Sequence, residues 1–277
     1  MPVIALTQGM GSLAQDIAEQ LAQELGLATL QHEVAERVAD RMHVSKSLIS
    51  RLRAGKAGPI ERLRADKQSI AVYTAEEVLE AAARGSLVVR GWGGTQLLRQ
   101  VPHIPCVRIM RPFEKRVQWL MKELDTDDVA LAESEIRRSD QANASRMHDQ
   151  FGVQWGDPVL FDMVLNTDRL SVDTCVQQIK SLLVRPEFAE TAASAQLLQG
   201  MALGAHVRAA LRSHQETQDV DVTISCAAGT ETLSGIVVSQ LEKTLTEHMA
   251  AAVAGVRGVD NQLRVMATSH LFTSSKN

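Results

Sequence analysis

Four short apolar runs, Val3–Leu6, Leu87–Val89, Cys106–Met110 and Val159–Leu165, each hand over to a stretch with helical periodicity. A strand that is apolar at nearly every position has to be covered on both faces, and a strand followed by a helix returns to the same sheet in parallel. This alternation restricts the chain to an α/β architecture, with a doubly wound parallel sheet as the natural solution. The first unit shows it best. Val3–Leu6 ends at Thr7-Gln8-Gly9-Met10-Gly11-Ser12, after which Leu13, Ile17, Leu21, Ala22 and Leu25 recur at helical spacing until Gly26.

Residues 31–53 carry helical periodicity, with Ser45 as an N-cap. The stretch 51–67 is dense in Lys and Arg and is interrupted by Gly55, Gly58 and Pro59, so it is expected to be exposed and mobile. A helix is expected to start at Thr74, with Glu76 and Glu77 in its first turn, and to end at Arg84-Gly85. Gly91-Trp92-Gly93-Gly94 leads into another helix, Pro112 stops the third strand, and a helix over 113–123 follows. Residues 127–149 read as charged helices, and Ser171 caps a helix running to about Val184.

Residues 185–199, rich in Ala and Gln, read as a linker or a short connecting helix. Beyond them the period changes. A helix at 201–213 precedes two strands, Val220–Ile224 and Glu231–Val237, with Ala228-Gly229 as the hairpin turn. A helix over 239–254 and a strand Gln262–Met266 complete an α-β-β-α-β unit. The expected division is therefore 1–184, a linker at 185–199, and a small α+β domain at 200–268.

A length of 277 residues suits two domains of ordinary size. The 29 Lys and Arg are outnumbered by 33 Asp and Glu, for a net charge of −4, which supplies no field for gathering nucleic acid, so no nucleic-acid partner is expected. Cys106, Cys175 and Cys226 fit neither a disulfide framework nor a zinc site, and the histidines form no HxxH or HExxH pair, so no metal is expected. The apolar start, without a basic segment, is not a signal peptide, and no run approaches a transmembrane span. These readings place the chain in the cytoplasm.

The segment from Trp155-Gly156-Asp157-Pro158 to Asn166-Thr167 resembles the closing motif of the cytidylate-kinase-like family, a branch of the P-loop nucleoside-monophosphate kinases. Val3–Leu25 is similar to that family's first strand, phosphate loop and helix. Arg90-Gly91-Trp92-Gly93-Gly94 is similar to its central strand end, and Ser139-Asp140 to the start of its lid. A second resemblance, to the BON domain, a small ligand- or membrane-associated module, rests on Gly229, Leu233-Ser234-Gly235 and the run Val253–Leu263.

Phosphoryl transfer needs amides around a phosphate, a cation on the transferring group and arginines in a lid. The resemblance therefore implies nucleotide or phosphate binding by Gly9, Gly11, Ser12, Gln15, Arg90, Arg137, Arg138 and Asp140, with ATP or another nucleotide and Mg as cofactors; no catalytic residue is assigned. Arg108 and Arg111 are further cations of this region. The pattern is nevertheless depleted. The loop has no GxxxxGK[ST], Leu13, Ala14 and Gln15 stand where the family has glycines and a cation, and Asp140-Gln141-Ala142-Asn143 replaces Asp-Arg-x-Arg. By analogy with the loss of an oxyanion donor, each neutral replacement removes about 2–4 kcal/mol of transition-state stabilisation. The expected function is a regulatory or sensory protein with a degenerate nucleotide-binding domain. The alternative is an active kinase that transfers phosphate from ATP to cytidylate or a related nucleotide. Gly9 and Gly11 also suit a plain tight turn, Arg137 and Arg138 a solvated helix face, and Asp162 a structural role at the last strand. A nucleotide or other small molecule is the expected ligand, the BON-like part is expected to take a second ligand or a protein partner, and a homo-oligomer stays open.

Overall fold

A computed structural model describes residues 2–31, 33–227 and 229–266, and the chain divides into two compact units between Leu198 and Gln199. In the first unit, β1 (Val3–Gln8), β2 (Ala28–Leu30), β3 (Leu87–Arg90), β4 (Cys106–Met110) and β5 (Met163–Asn166) form one sheet. Its order is β2-β3-β1-β4-β5, and every pairing is parallel. The doubly wound sheet expected from the alternation is thus present.

Val3, Ile4, Ala5 and Leu6 are all buried, because β1 is central and helices cover the sheet. On one face, Ile17 and Leu21 of α1 (Ala14–Leu25) and Val176 and Ile179 of α9 (Val172–Leu183) pack with Ile4, Leu6, Val107 and Ile109. Burying each such side chain contributes about 1.5–3 kcal/mol. Gly26 ends α1 in the left-handed conformation, at φ 65°.

The segment between β2 and β3 folds as α2 (Glu33–Met42), α3 (Lys46–Arg53), α4 (Pro59–Arg64) and α5 (Lys67–Arg84). Ser45 caps α3 as expected, accepting from the Leu48 amide. Helix α5 starts at Lys67, not at Thr74, because Asp66 accepts from the Ser69 amide at 2.9 Å and supplies an earlier cap. Glu76 and Glu77 consequently lie mid-helix and buried. Their charges are met from α2 by Arg41 at 3.3 Å and Arg37 at 2.8 Å. The Lys/Arg-dense stretch holds the short helix α4, whose Ile60 and Leu63 stay exposed.

In place of the several charged helices expected over 127–149 there is a single 23-residue helix, α8 (Val129–Phe151), capped by Asp128. It follows α6 (Gly94–Leu98) and α7 (Phe113–Glu123). The apolar run Val159–Leu165 splits into a 3-10 turn at Pro158–Leu160 and the strand β5. Asp162 sits between them. Its Oδ2 accepts from the Cys106 amide at 2.7 Å and its own amide donates to the Cys106 carbonyl, which agrees with the structural role read for it.

Residues 185–199 contain a 3-10 turn at Pro186–Phe188 and the beginning of α10 (Ala192–Ser213), a longer helix than the one expected over 201–213. Thr191 and Ser194 start it reciprocally, the Ser194 amide donating to Thr191 Oγ1 at 3.1 Å and the Thr191 amide to Ser194 Oγ at 3.0 Å. The second unit continues with β6 (Val222–Ala227), β7 (Thr230–Val237), α11 (Gln240–Ala251) and β8 (Gly258–Val265). Its order is α-β-β-α-β. The sheet runs β6-β7-β8, antiparallel then parallel, over a core of Val207, Leu211, Leu233, Val237 and Leu263. Gly229 turns the hairpin at φ 81°, and Ala228 lies outside the described residues. Among the described residues no helix is long and apolar enough to cross a membrane.

Candidate phosphate-binding site

The loop after β1 lies at the N-terminus of α1 and is pinned from two sides. Thr167, just past β5, donates from Oγ1 to the Ser12 carbonyl at 2.9 Å. On the other side α7 presses directly on the loop. A β-carbon at Gly9 would come within 2.8 Å of Arg116 Nη1, and one at Gly11, already at φ 78°, within 2.9 Å of the Trp119 ring. Both glycines therefore serve a close approach as well as a turn. Ser12 Oγ is buried, without a hydrogen-bond partner among the described residues. Gln15 is exposed and donates to Glu19 Oε1 at 2.9 Å, one turn further along α1. Asp140 of α8 pairs with Arg116 through both carboxylate oxygens, at 2.9 and 2.7 Å.

Next to the loop, across the C-terminal ends of β1 and β3, lies a cavity of about 120 Å³. Thr7, Gln8 and Arg90 line it, together with Arg53 from the end of α3 and Asn143 and Arg146 from α8. Arg53 stacks on the Trp92 ring, 3.2 Å from its centroid. Arg146 donates to Asn143 Oδ1 at 3.1 Å and to the Arg53 carbonyl at 2.5 Å. Arg90 donates from Nε to Gln31 Oε1 at 3.1 Å, while its Nη2, like Gln8 Oε1, is buried without a partner among the described residues. Among the described residues none of these three arginines is ion-paired.

Three cations in one cavity without a carboxylate are costly. Burial, then the charges of Arg146 and Arg90, push Arg53 well below the usual guanidinium range. Burial lowers Arg146 as well, and lowers Arg90 against the opposing pull of Glu19 and Asp16. An incoming anion would relieve all three. Trp92 adds backbone strain at the same place, with φ 59° between Gly91 at 79° and Gly93 at 71°. A non-glycine residue held there costs about 1–3 kcal/mol and marks a position fixed by its surroundings.

The small cavity adjoins a cleft of about 1260 Å³ between α3, α4, α5 and α8, with Arg53, Trp92 and Arg146 in both walls. Arg137 and Arg138 line this cleft, but each has an acidic partner: Arg137 pairs with Glu133 at 3.5 Å and lies over the Phe113 ring, and Arg138 pairs with Glu135. Arg108, on β4, donates to the Trp155 carbonyl at 2.6 Å and faces its ring.

Of the residues singled out from the sequence, Gly9, Gly11, Ser12 and Asp140 gather around the loop and Arg90 lines the cavity. Gln15 points away along α1, and Arg137 and Arg138 face the larger cleft. Arg53, Arg116 and Arg146 were not singled out. For Arg146 a signal existed, because Asn143, Arg146 and Met147 follow each other at helical spacing on one face of α8. Among the described residues no group of three or more His, Cys, Asp or Glu side chains is placed to hold a metal ion.

A five-stranded parallel sheet with a glycine loop leading into the first helix defines a P-loop-kinase type of fold. Residues 3–169 match the cytidylate kinase-like family, and residues 202–267 match the BON domain. The chain belongs to the cytidylate kinase-like family and carries a BON domain after it. It is 25% identical over 187 residues to a cytidylate kinase of Ignicoccus hospitalis, covering 66% of this chain and all of that one. An uncharacterized protein from Eubacterium ventriosum has a similar solved structure, with a TM-score of 0.52 at 17% identity, covering 66% of this chain and 97% of the other.

Proposed function

We propose that this chain is a cytoplasmic regulatory or sensory protein that binds a nucleoside monophosphate in its first unit without turning it over, and uses its BON domain for a second ligand or a partner. One observation carries the reading: Arg53, Arg90 and Arg146 converge on a small cavity with no carboxylate among them. A phosphate monoester, compact and doubly charged, is the ligand chemistry that such a cavity takes. The loop is weaker. Its nearest cation, Arg116, is committed to Asp140, Gln15 is turned toward Glu19, and α7 lies against the glycines.

The second reading, an active kinase using ATP and magnesium, draws on Ser12. Its hydroxyl, buried without a partner at the N-terminus of α1, is the loop group suited to a triphosphate or its metal ion. The test is calorimetric titration of the full chain with CMP and with ATP, beside a coupled assay for ADP. The reading expects CMP to bind and no CMP-dependent ADP. Turnover at kinase rates, roughly 1–100 per second, would replace it with the second reading. Absence of binding by either nucleotide would remove both.

A further inference from the structure

The usual way to hold an arginine in place is a carboxylate, and the same unit does so at Arg37, Arg41 and Arg116. A carboxylate also cancels the charge. Arg53 is held differently, its guanidinium lying 3.2 Å from the centre of the Trp92 ring. A π face attracts a cation through its quadrupole and leaves the net charge intact. Trp92 is itself fixed: its Nε1 donates to the Gln31 carbonyl at 2.5 Å, and the ring is almost fully buried. The same Gln31 accepts from Arg90 through its side chain. One residue thus braces the shelf under Arg53 and orients a second cation. Gly93 has to be glycine beside Trp92, since at φ 71° a β-carbon there would strike the Phe151 ring at 2.9 Å.

We infer that Trp92 is the positioning residue of the phosphate site, holding Arg53 beside Arg90 and Arg146 by stacking and so ordering it without a carboxylate that would cancel its charge toward the ligand. The inference rests on the proposed monophosphate reading and adds to it how the site stays both ordered and uncompensated. A carboxylate at this position would order Arg53 equally well and extinguish the site.

The test is a double-mutant cycle read by calorimetric titration of the intact chain with inorganic phosphate and with CMP. Trp92→Leu removes the π face and is expected to weaken both ligands about tenfold, while Trp92→Phe, which restores a ring, keeps them within about threefold of the parent. In an Arg53→Met background, Trp92→Leu is expected to cause no further loss, because Trp92 acts through Arg53. A packing role alone would give additive losses, and additive losses would overturn the inference while leaving the site standing. Failure of Trp92→Phe to restore binding in folded protein would overturn it too. If the parent binds neither phosphate nor CMP, the monophosphate reading fails, and the inference with it.

Discussion

Arg116 closes both ends of its guanidinium on Asp140, Nη1 to Oδ1 at 2.9 Å and Nη2 to Oδ2 at 2.7 Å, and the same Nη1 reaches the Met10 carbonyl at 3.4 Å. One side chain from α7 therefore ties α8 to the phosphate loop. Its charge is shared with a carboxylate. Asp140→Asn would release that charge toward the loop, and the expected result is tighter ATP binding, by roughly fivefold, as one charge-assisted contact becomes available. The same change should lower stability by about 1–3 kcal/mol through loss of the paired hydrogen bonds. Titration and denaturant unfolding of the one variant check both signs.

Arg53→Met should move stability and binding in opposite directions. It removes one of three crowded, partly buried cations, so the apo protein is expected to gain about 1 kcal/mol. Binding of CMP or phosphate is expected to fall by about tenfold or more, the worth of one charged hydrogen bond. Thermal melts with and without phosphate give both numbers. Loss of stability together with unchanged binding would show that Arg53 is a structural residue.

The second unit contains a carboxyl group with a pH-dependent cost. Glu231 of β7 is fully buried, and among the described residues its carboxyl faces only the weak thiol donor of Cys226, opposite it on β6. Burial raises its pKa above the ordinary value. Below about pH 4, the unfolded value, the group is protonated in both states and adds no pH-dependent cost. As pH rises toward the folded value, the unfolded chain releases the proton first, so stability falls across that interval. Glu231→Gln should flatten this slope and stabilise the unit at neutral pH. Unfolding curves from pH 4 to 8, followed by a probe in residues 199–266, will show the difference or its absence.

Removing the brace at β5 gives a further expectation. Asp162→Ala leaves the Cys106 amide without its 2.7 Å acceptor inside the sheet, and a loss of about 1–3 kcal/mol is expected in denaturant unfolding.

Four strands of the first sheet were legible as apolar runs bounded by Gly, Pro or a polar turn, a pattern set by burial, whereas the three-residue β2 was too short to stand out and the first half of the run Val159–Leu165 became a 3-10 turn. Helix starts were less so. Thr74 with Glu76 and Glu77 looks like a first turn, yet those acids answer Arg37 and Arg41 on another helix, and the operative cap is Asp66. The glycines of the loop were recognised, although the pressure of Arg116 and Trp119 that adds to the φ of 78° in requiring glycine at position 11 comes from a helix about a hundred residues away. The arginine cavity was the least visible part. Arg146 meets the carbonyl of Arg53 across 93 residues, and only the folded arrangement of α3 and α8 brings the two together.

The hydrogen bond from Thr167 to Ser12 spans 155 residues and sets a condition on the order of folding. Contacts between such distant positions carry a loop-closure cost, and this one cannot form until the chain has been made as far as Thr167. The loop near the N-terminus thus receives its final shape from the end of the same unit. During synthesis, a nascent chain that has not yet delivered β5 and Thr167 lacks this tie, so the loop after β1 reaches its final shape only when the unit is nearly complete.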